Sequence, residues 1–356
     1  MYWTKKAILF LTVFLMSGWL PASSAMAQFS DGEWASLTNV TKCKFWDILK
    51  NAKPPIAWSG ECQDGLLQGM GTLSSKEMKF EGAFEKGKPH GHGVLNGNDR
   101  SNRSLRYEGA FKNGLFDGHG LLVLDAANLY TTYKGDFRGG DFYGQGSMEI
   151  KRPKGNVKYE GEFENKSFHG HGVLEVKGSI EYRYEGAFQD GKKHGLGKQT
   201  FPNGSYYKGE FTEDWMTGQG VSVLANGTRY EGFFTDHTLN GQGVLAFADG
   251  RRYKGEFKDS LFDGHGILAY PDGTRFEGAY VKGHLLGQGR VDWPSGAYYE
   301  GAFKNSLPAG KGIMVLEDGS SCRGKWQGLV LMGKGSGLNN GTERRCFMEG
   351  NLIRFN

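Results

Sequence analysis

Four histidines share one repeated context: His92, His119, His171 and His265 each stand between two glycines, and Gln145, Gln219, Gln242 and Gln288 fill the same slot elsewhere. Imidazoles at regular spacing are raw material for a metal site. The acidic residues Glu81, Glu108, Glu160, Glu185, Glu231, Glu277 and Glu300 recur at a second fixed slot, where carboxylates could serve as general acids or bases. Neither chemistry fits the spacing. Ligands of one ion lie about 2 Å from it, whereas equivalent residues on consecutive hairpins of a sheet lie two strands, roughly 9.5 Å, apart. His90 with His92 and His169 with His171 are close enough to share an ion, but no third ligand recurs beside them. Lys134, Lys208 and Lys254 occupy the acidic slot in three repeats, and a ladder of mixed sign is a solvated sheet face. The cysteines show no C-x-x-C spacing that would suggest zinc. The reading is therefore non-enzymatic, with no catalytic residue, no metal ligand set and no cofactor.

These slots are positioned by a repeat. "YEGAFKNGLFDGHG" from Tyr107 is nearly copied as "YKGEFKDSLFDGHG" from Tyr253, and a Tyr-x-Gly-x-Phe marker glycine recurs from Gly60 to Gly324. From Gly186 onward each marker follows the last by 23 residues, and every marker is followed nine residues later by a second glycine, as Gly255 is by Gly264. Length variation falls only after that second glycine. The chain has 356 residues with 58 glycines and 13% aromatics, which excludes collagen and a flexible glycine-rich linker alike.

Tyr253, Gly255 and Phe257 alternate with polar residues, which is strand periodicity, and Gly264, Gly266, Leu268 and Tyr270 continue it in the second half. "PNGS" at Pro202, "ANGT" at Ala225, "PDGT" at Pro271 and "PSGA" at Pro294 join the repeats and predict two-residue turns with positive φ at both central residues. Each repeat is thus a hairpin joined to the next by another hairpin. The predicted fold is all-β: an elongated single-layer antiparallel meander of about 11–12 hairpin repeats, an open array closed at both ends by disulfides. Rings from one strand lie over the Gly-x-Gly backbone of its neighbour, where no side chain stands in the way. A second apolar series, Phe116, Phe142, Phe168, Met216, Leu239, Phe262 and Leu285, sits two residues before the second glycine and reads as a structural plug.

On these residues the chain resembles the MORN-repeat proteins, whose unit is Tyr-Glu-Gly-x-Phe, then Gly-x-Gly, then an Asp-Gly turn. The resemblance covers residues 58–335. The segment "CKFWDILKNAKPPIAWSGECQDGLLQGMG" from Cys43 looks like the entry of exported bacterial members, and "CRGKW" at Cys322 departs from the unit and reads as a cap. The resemblance implies a binding or scaffold module, tied to membrane attachment, dimerisation or the holding of partner segments in a groove.

The chain opens with a basic "MYWTKK", a fourteen-residue apolar run and a small-residue ending at Ala25-Met26-Ala27, the pattern of a secretory signal cleaved after Ala27. Losing Lys5 and Lys6 takes the formal charge from +4 to +2, which gives no support for nucleic acid as a partner. Export to the periplasm or beyond places the cysteines in an oxidising compartment, where Cys43–Cys62 with Cys322–Cys346 is the pairing that does not bridge the two ends of an array. The expected organisation is a signal peptide over 1–27, an N-terminal cap over 28–57 with a short helix near Lys42 to Asn51, the array over 58–335, and a C-terminal cap over 336–356.

Two surfaces are candidates for partners. The aromatic face, with Tyr107, Phe111, Tyr133, Phe137, Tyr159, Phe163, Tyr184, Phe188, Tyr207, Tyr230 and Tyr253, is expected to bind a protein partner or a second copy, along with the leucines Leu95, Leu122, Leu174, Leu245 and Leu268. The lengthened connections between Gly93 and Gly186 are expected to project as basic tips carrying Arg100, Arg103, Arg106, Lys151, Arg152, Lys154 and Lys158, and the alternative function is direct binding of anionic lipid headgroups or envelope polysaccharide through the stacked aromatic face and these tips.

Overall fold

A computed structural model describes residues 33–37, 43–47, 50, 52–99, 102–349 and 352–356. The signal-peptide segment 1–27 and the tip residue Arg100 lie outside the described residues. Among the described residues every regular element is a strand, and no helix is long and apolar enough to cross a membrane. They divide into two compact units, one running up to Pro202 with Thr212–Asp214, the other comprising Asn203–Phe211 and Trp215–Asn356.

In the first unit, consecutive strands from Leu66–Ser74 to Lys192–Thr200 each pair antiparallel with the next. In the second, the same meander runs from Trp215–Val223 to Ser321–Gln327. Within a hairpin the first strand alternates strictly: in Arg252–Lys258, Tyr253 and Phe257 are buried while Lys254 and Lys258 are exposed.

The glycines serve two physical ends. Gly255 and Gly266 are register partners beneath the Tyr253 ring, and a Cβ on Gly266 would overlap that ring. Phe262, the plug, stacks on Tyr253 at 3.7 Å with planes 8° apart, while Phe257 and Tyr280 meet it edge-on at 5.1 and 5.3 Å. The Tyr253 hydroxyl donates to the Glu256 carbonyl at 3.1 Å, so the ring is buried with its polar end satisfied. Gly264 has φ +106, the left-handed backbone of the bulge that favours glycine, and a Cβ there would also press on the Glu256 side chain. Burial of each ring contributes roughly 1.5–3 kcal/mol, which lets a single layer act as its own core.

The turn chemistry differs from expectation. At the "PDGT" corner only Gly273 has positive φ; Gly273 N–H donates to the Tyr270 carbonyl and Asp272 accepts from Thr274 N–H at 2.8 Å. The two-residue turns with both φ positive lie at the other end of the hairpin, at pairs such as Asp236–His237, Asp259–Ser260 and Asn305–Ser306. Inter-repeat bonds offset the cost of left-handed non-glycine residues there. Ser260 N–H donates to the carbonyl of the plug Leu239, and Ser260 Oγ accepts from Leu239 N–H at 3.1 Å. Ser306 repeats this with Leu285, and His237 with Met216 through Nδ1.

The lengthened connections are also a correction. They continue as paired strand: Leu115–Ala126, Leu129–Arg138, Asp141–Arg152 and Gly155–Glu164 have 12, 10, 12 and 10 residues. Their added apolar residues Leu105, Leu124 and Ile150 are buried, so the alternation that builds the repeat continues through the insertion.

Both disulfides pair as expected, Cys43 with Cys62 and Cys322 with Cys346, at Cα separations of 6.2 and 6.0 Å. The helix expected near Lys42 to Asn51 is absent where the chain is described: Lys44–Asp47 is a strand paired with Glu33–Ser36. Phe45 and Asp47 point inward and Cys43 is tethered, while the Asp47 carboxylate accepts from the N–H groups of Lys50 and Ala52 at 3.0 and 2.7 Å and turns the chain. At the two ends tryptophan stands in for a ring of the unit, Trp58 for the tyrosine and Trp326 for the phenylalanine. Trp58 covers Gly71, and Trp326 meets Tyr299 edge-on at 5.9 Å.

Candidate functional site

The eleven aromatic residues expected to bind a partner are buried, with exposures of 0–3%. Tyr107 stacks on Phe116, Tyr133 on Phe142 and Tyr159 on Phe168, at 3.8, 4.0 and 3.9 Å. Leu95, Leu122, Leu174 and Leu245 are equally enclosed. The aromatic face is therefore the core, because each ring is covered by the plug of its own repeat and by edges from the next. Burial also pushes the phenols of Tyr107, Tyr133 and Tyr159 well above the ordinary tyrosine range, with nearby carboxylates adding to the effect.

What stays open is the opposite face. In the first unit a row of register partners runs Glu108, Leu121, Lys134, Ser147, Glu160, Val173, Glu185. Two residues further along the strands lie the pairs His119–Asp136, Gln145–Glu162 and His171–Ala187. Between the rows the floor is bare glycine backbone, with Gly120, Gly135, Gly146, Gly161, Gly172 and Gly186 paired in succession. From Lys134 to Glu185 these rows line a shallow, open groove of about 670 Å³, with His119, Lys134, Gln145, Ser147, Glu160, His171 and Glu185 among its walls, and Glu108 lies in the same row just beyond it.

Its electrostatics are local and mixed. His119 Nδ1 lies 3.1 Å from Asp136, and Glu162 arches over Gly170 to accept from the His171 backbone N–H at 3.0 Å. Lys158 and Arg183 pair with Glu160 and Glu185 at 2.7 Å each, and the hydrogen bond to Glu160 raises the Lys158 ammonium pKa. Lys134 makes no ion pair among the described residues. His90 and His169 are drawn to Glu85 and Glu164, at 3.4 and 3.3 Å, and among the described residues no three ligating side chains gather round one point.

Of the basic residues expected at tips, Arg106, Lys151, Arg152 and Lys158 lie on strands, Arg103 just before one, and most are compensated. Arg103 pairs with Asp99, Arg106 with Glu108 and Lys151 with Glu149, at 2.6, 2.6 and 3.3 Å. Lys154 stands at a turn and Arg152 at a strand end, without an ion pair among the described residues.

Sequence reasoning missed the groove, although it had named its side chains as a solvated face. It also passed over Lys193, which holds the plug position that Phe168 and Leu239 hold in other repeats. Lys193 is buried, with Nζ 2.7 Å from Gln199 Oε1 and 5.1 Å from the centre of the Tyr182 ring. Burial lowers its pKa to about 8, against a smaller opposing pull from Asp214.

The MORN repeat model matches residues 80–101, 107–124, 159–175, 184–206, 207–229, 230–251, 253–275, 276–298 and 299–321, more than half of the chain. The chain belongs to the MORN-repeat family. Between the second and third matches, the MORN-like hairpin of Tyr133 carries the same ring stack on Phe142 and the same glycine floor at Gly135 and Gly146. No curated relative matches the chain.

Proposed function

We propose that this MORN-repeat chain is a non-enzymatic interaction scaffold, exported to the periplasm or beyond, that binds a partner protein along the polar groove over His119, Lys134, Gln145, Glu160, His171 and Glu185. The observation carrying this reading is the division of labour between faces: rings and plugs enclose one side, and the other is a glycine-floored channel edged by hydrogen-bonding groups. Exported bacterial membership rests on the entry segment and on two disulfides, which persist in an oxidising compartment. The lipid or glycan alternative draws on stacked aromatics and uncompensated cations; the rings are enclosed and most of the cations are paired.

The test is site-specific photo-crosslinking in the cell envelope. A crosslinker at Gln145 is expected to trap one protein reproducibly, and one at the exposed tip residue Asn226 to trap none. Trapping from Asn226 alone, or recovery of lipid or glycan only, overturns the reading.

A further inference from the structure

Resting on that groove reading, we infer that its occupant is a polypeptide segment in the polyproline II conformation, lying across the strands with one turn of its helix per hairpin. The inference follows from the period of the groove. Its rows cross the strands, so equivalent side chains recur every second strand, roughly 9.5 Å. A polyproline II helix advances about 3.1 Å per residue with three residues per turn, or about 9.3 Å per turn. A β-strand repeats its side-chain direction every ~6.7 Å, and falls out of step within one hairpin. An α-helix is about 10–12 Å across, too wide to settle between rows only two strand residues, or ~6.7 Å, apart.

Chemistry agrees with period. A polyproline II segment has no internal hydrogen bonds, so its amides and carbonyls need partners at every turn. The second row offers the His119 imidazole, the Gln145 amide and the His171 imidazole at one-hairpin intervals on successive returning strands. The first row sets the register of charge: Glu108, Lys134, Glu160 and Glu185 stand at equivalent places on four successive hairpins. Opposite charge on the ligand therefore falls at every third residue in the order basic, acidic, basic, basic. The in-strand ion pairs of Glu108, Glu160 and Glu185 are exposed, and such pairs hold their partners weakly enough to exchange. Lys134 is the reversed sign in this register, and it decides the acidic residue of the ligand.

Fluorescence anisotropy with the full chain at low salt tests this, using two labelled peptides of matched charge. One carries Lys, Asp, Lys and Lys at every third residue of a proline-rich background, made in both chain orders; the other carries them at every second residue of a threonine-rich background. The expected result is binding of a period-three peptide at least about tenfold tighter than the alternating one. Lys134→Glu should weaken it, and replacing the peptide's Asp by Lys should restore it. Equal or tighter binding of the alternating peptide, blocked by Gln145→Arg, overturns the polyproline II inference and leaves the groove reading standing. Binding of neither peptide, or binding indifferent to both Lys134→Glu and Gln145→Arg, overturns the two together. Unchanged melting of both variants shows that the comparison is between folded proteins.

Discussion

The two faces of a hairpin obey opposite rules. On the inner face Tyr, Gly, Phe and an apolar plug recur in the same places, and most substitutions among them are ring for ring or plug for plug, as Trp58 and Trp326 show at the ends, with Lys193 the buried exception. On the outer face the residue between the two glycines is Met70, His92, His119, Gln145, His171, Leu196 or Lys311, and the two apolar ones are 71% and 69% exposed. A position that accepts an imidazole, an amide, an ammonium and a thioether does not hold the fold together. Uniformity marks the core and variation marks the surface outside it. Aromatic content alone gives the reverse answer, because in a single-layer sheet the rings are consumed by their own glycines.

The largest expected contrast is between one residue of each face. Tyr159→Ala should cost about 3–5 kcal/mol in denaturant unfolding, whereas Gln145→Ala should stay within about 0.5 kcal/mol of the parent. A comparable loss from both would erase the distinction. The second contrast is within the inner face, where one repeat carries Lys193 and Gln199 in place of an apolar plug and leucine. Replacing both together, Lys193→Met with Gln199→Leu, should stabilise the chain at pH 7 by about 2 kcal/mol, since a buried charge is exchanged for apolar packing without leaving Gln199 unpaired. The sign of the pH dependence follows from the lowered lysine pKa. Between about 8 in the fold and 10.5 unfolded, the unfolded chain binds the extra proton, so parental stability rises with pH across that window and the variant's advantage shrinks. Urea titrations at pH 7 and 10 read this directly, and an advantage that grows with pH would contradict it. The smallest contrast concerns the clamps between repeats. Ser260→Ala removes the acceptor of the Leu239 N–H and should cost about 1 kcal/mol, while alanine at the nearby exposed strand residue Lys258 should cost little.

Much of this was legible because the repeat states its own rules. Alternation in Tyr253-Lys-Gly-Glu-Phe257 gives strand and facing, the fixed nine-residue step between glycines gives the hairpin, and the terminal cysteines give the disulfides. Three features were not legible for physical reasons. Asn-Gly and Asp-Gly satisfy two turn geometries, and the doubly left-handed turn fell instead on pairs such as Asp259–Ser260, whose compensation is a hydrogen bond to another repeat. The insertions around Lys151 look like loops by length, yet they extend both strands of a hairpin at once and so remain paired. The groove depends on which face closes over itself, a property of ring packing in three dimensions; His119, Gln145 and His171 show their exposure in sequence but not the channel between their row and that of Lys134.

The most direct test of the central claim is hydroxyl-radical footprinting of the native chain, read residue by residue. Met70, Leu196 and Phe233, all exposed on the outer face, and the groove histidine His171 should oxidise quickly, while Tyr107, Tyr159 and Tyr253 remain protected until the chain unfolds. Native oxidation of those tyrosines at rates matching Phe233 would show the aromatic face to be open, and would contradict the account.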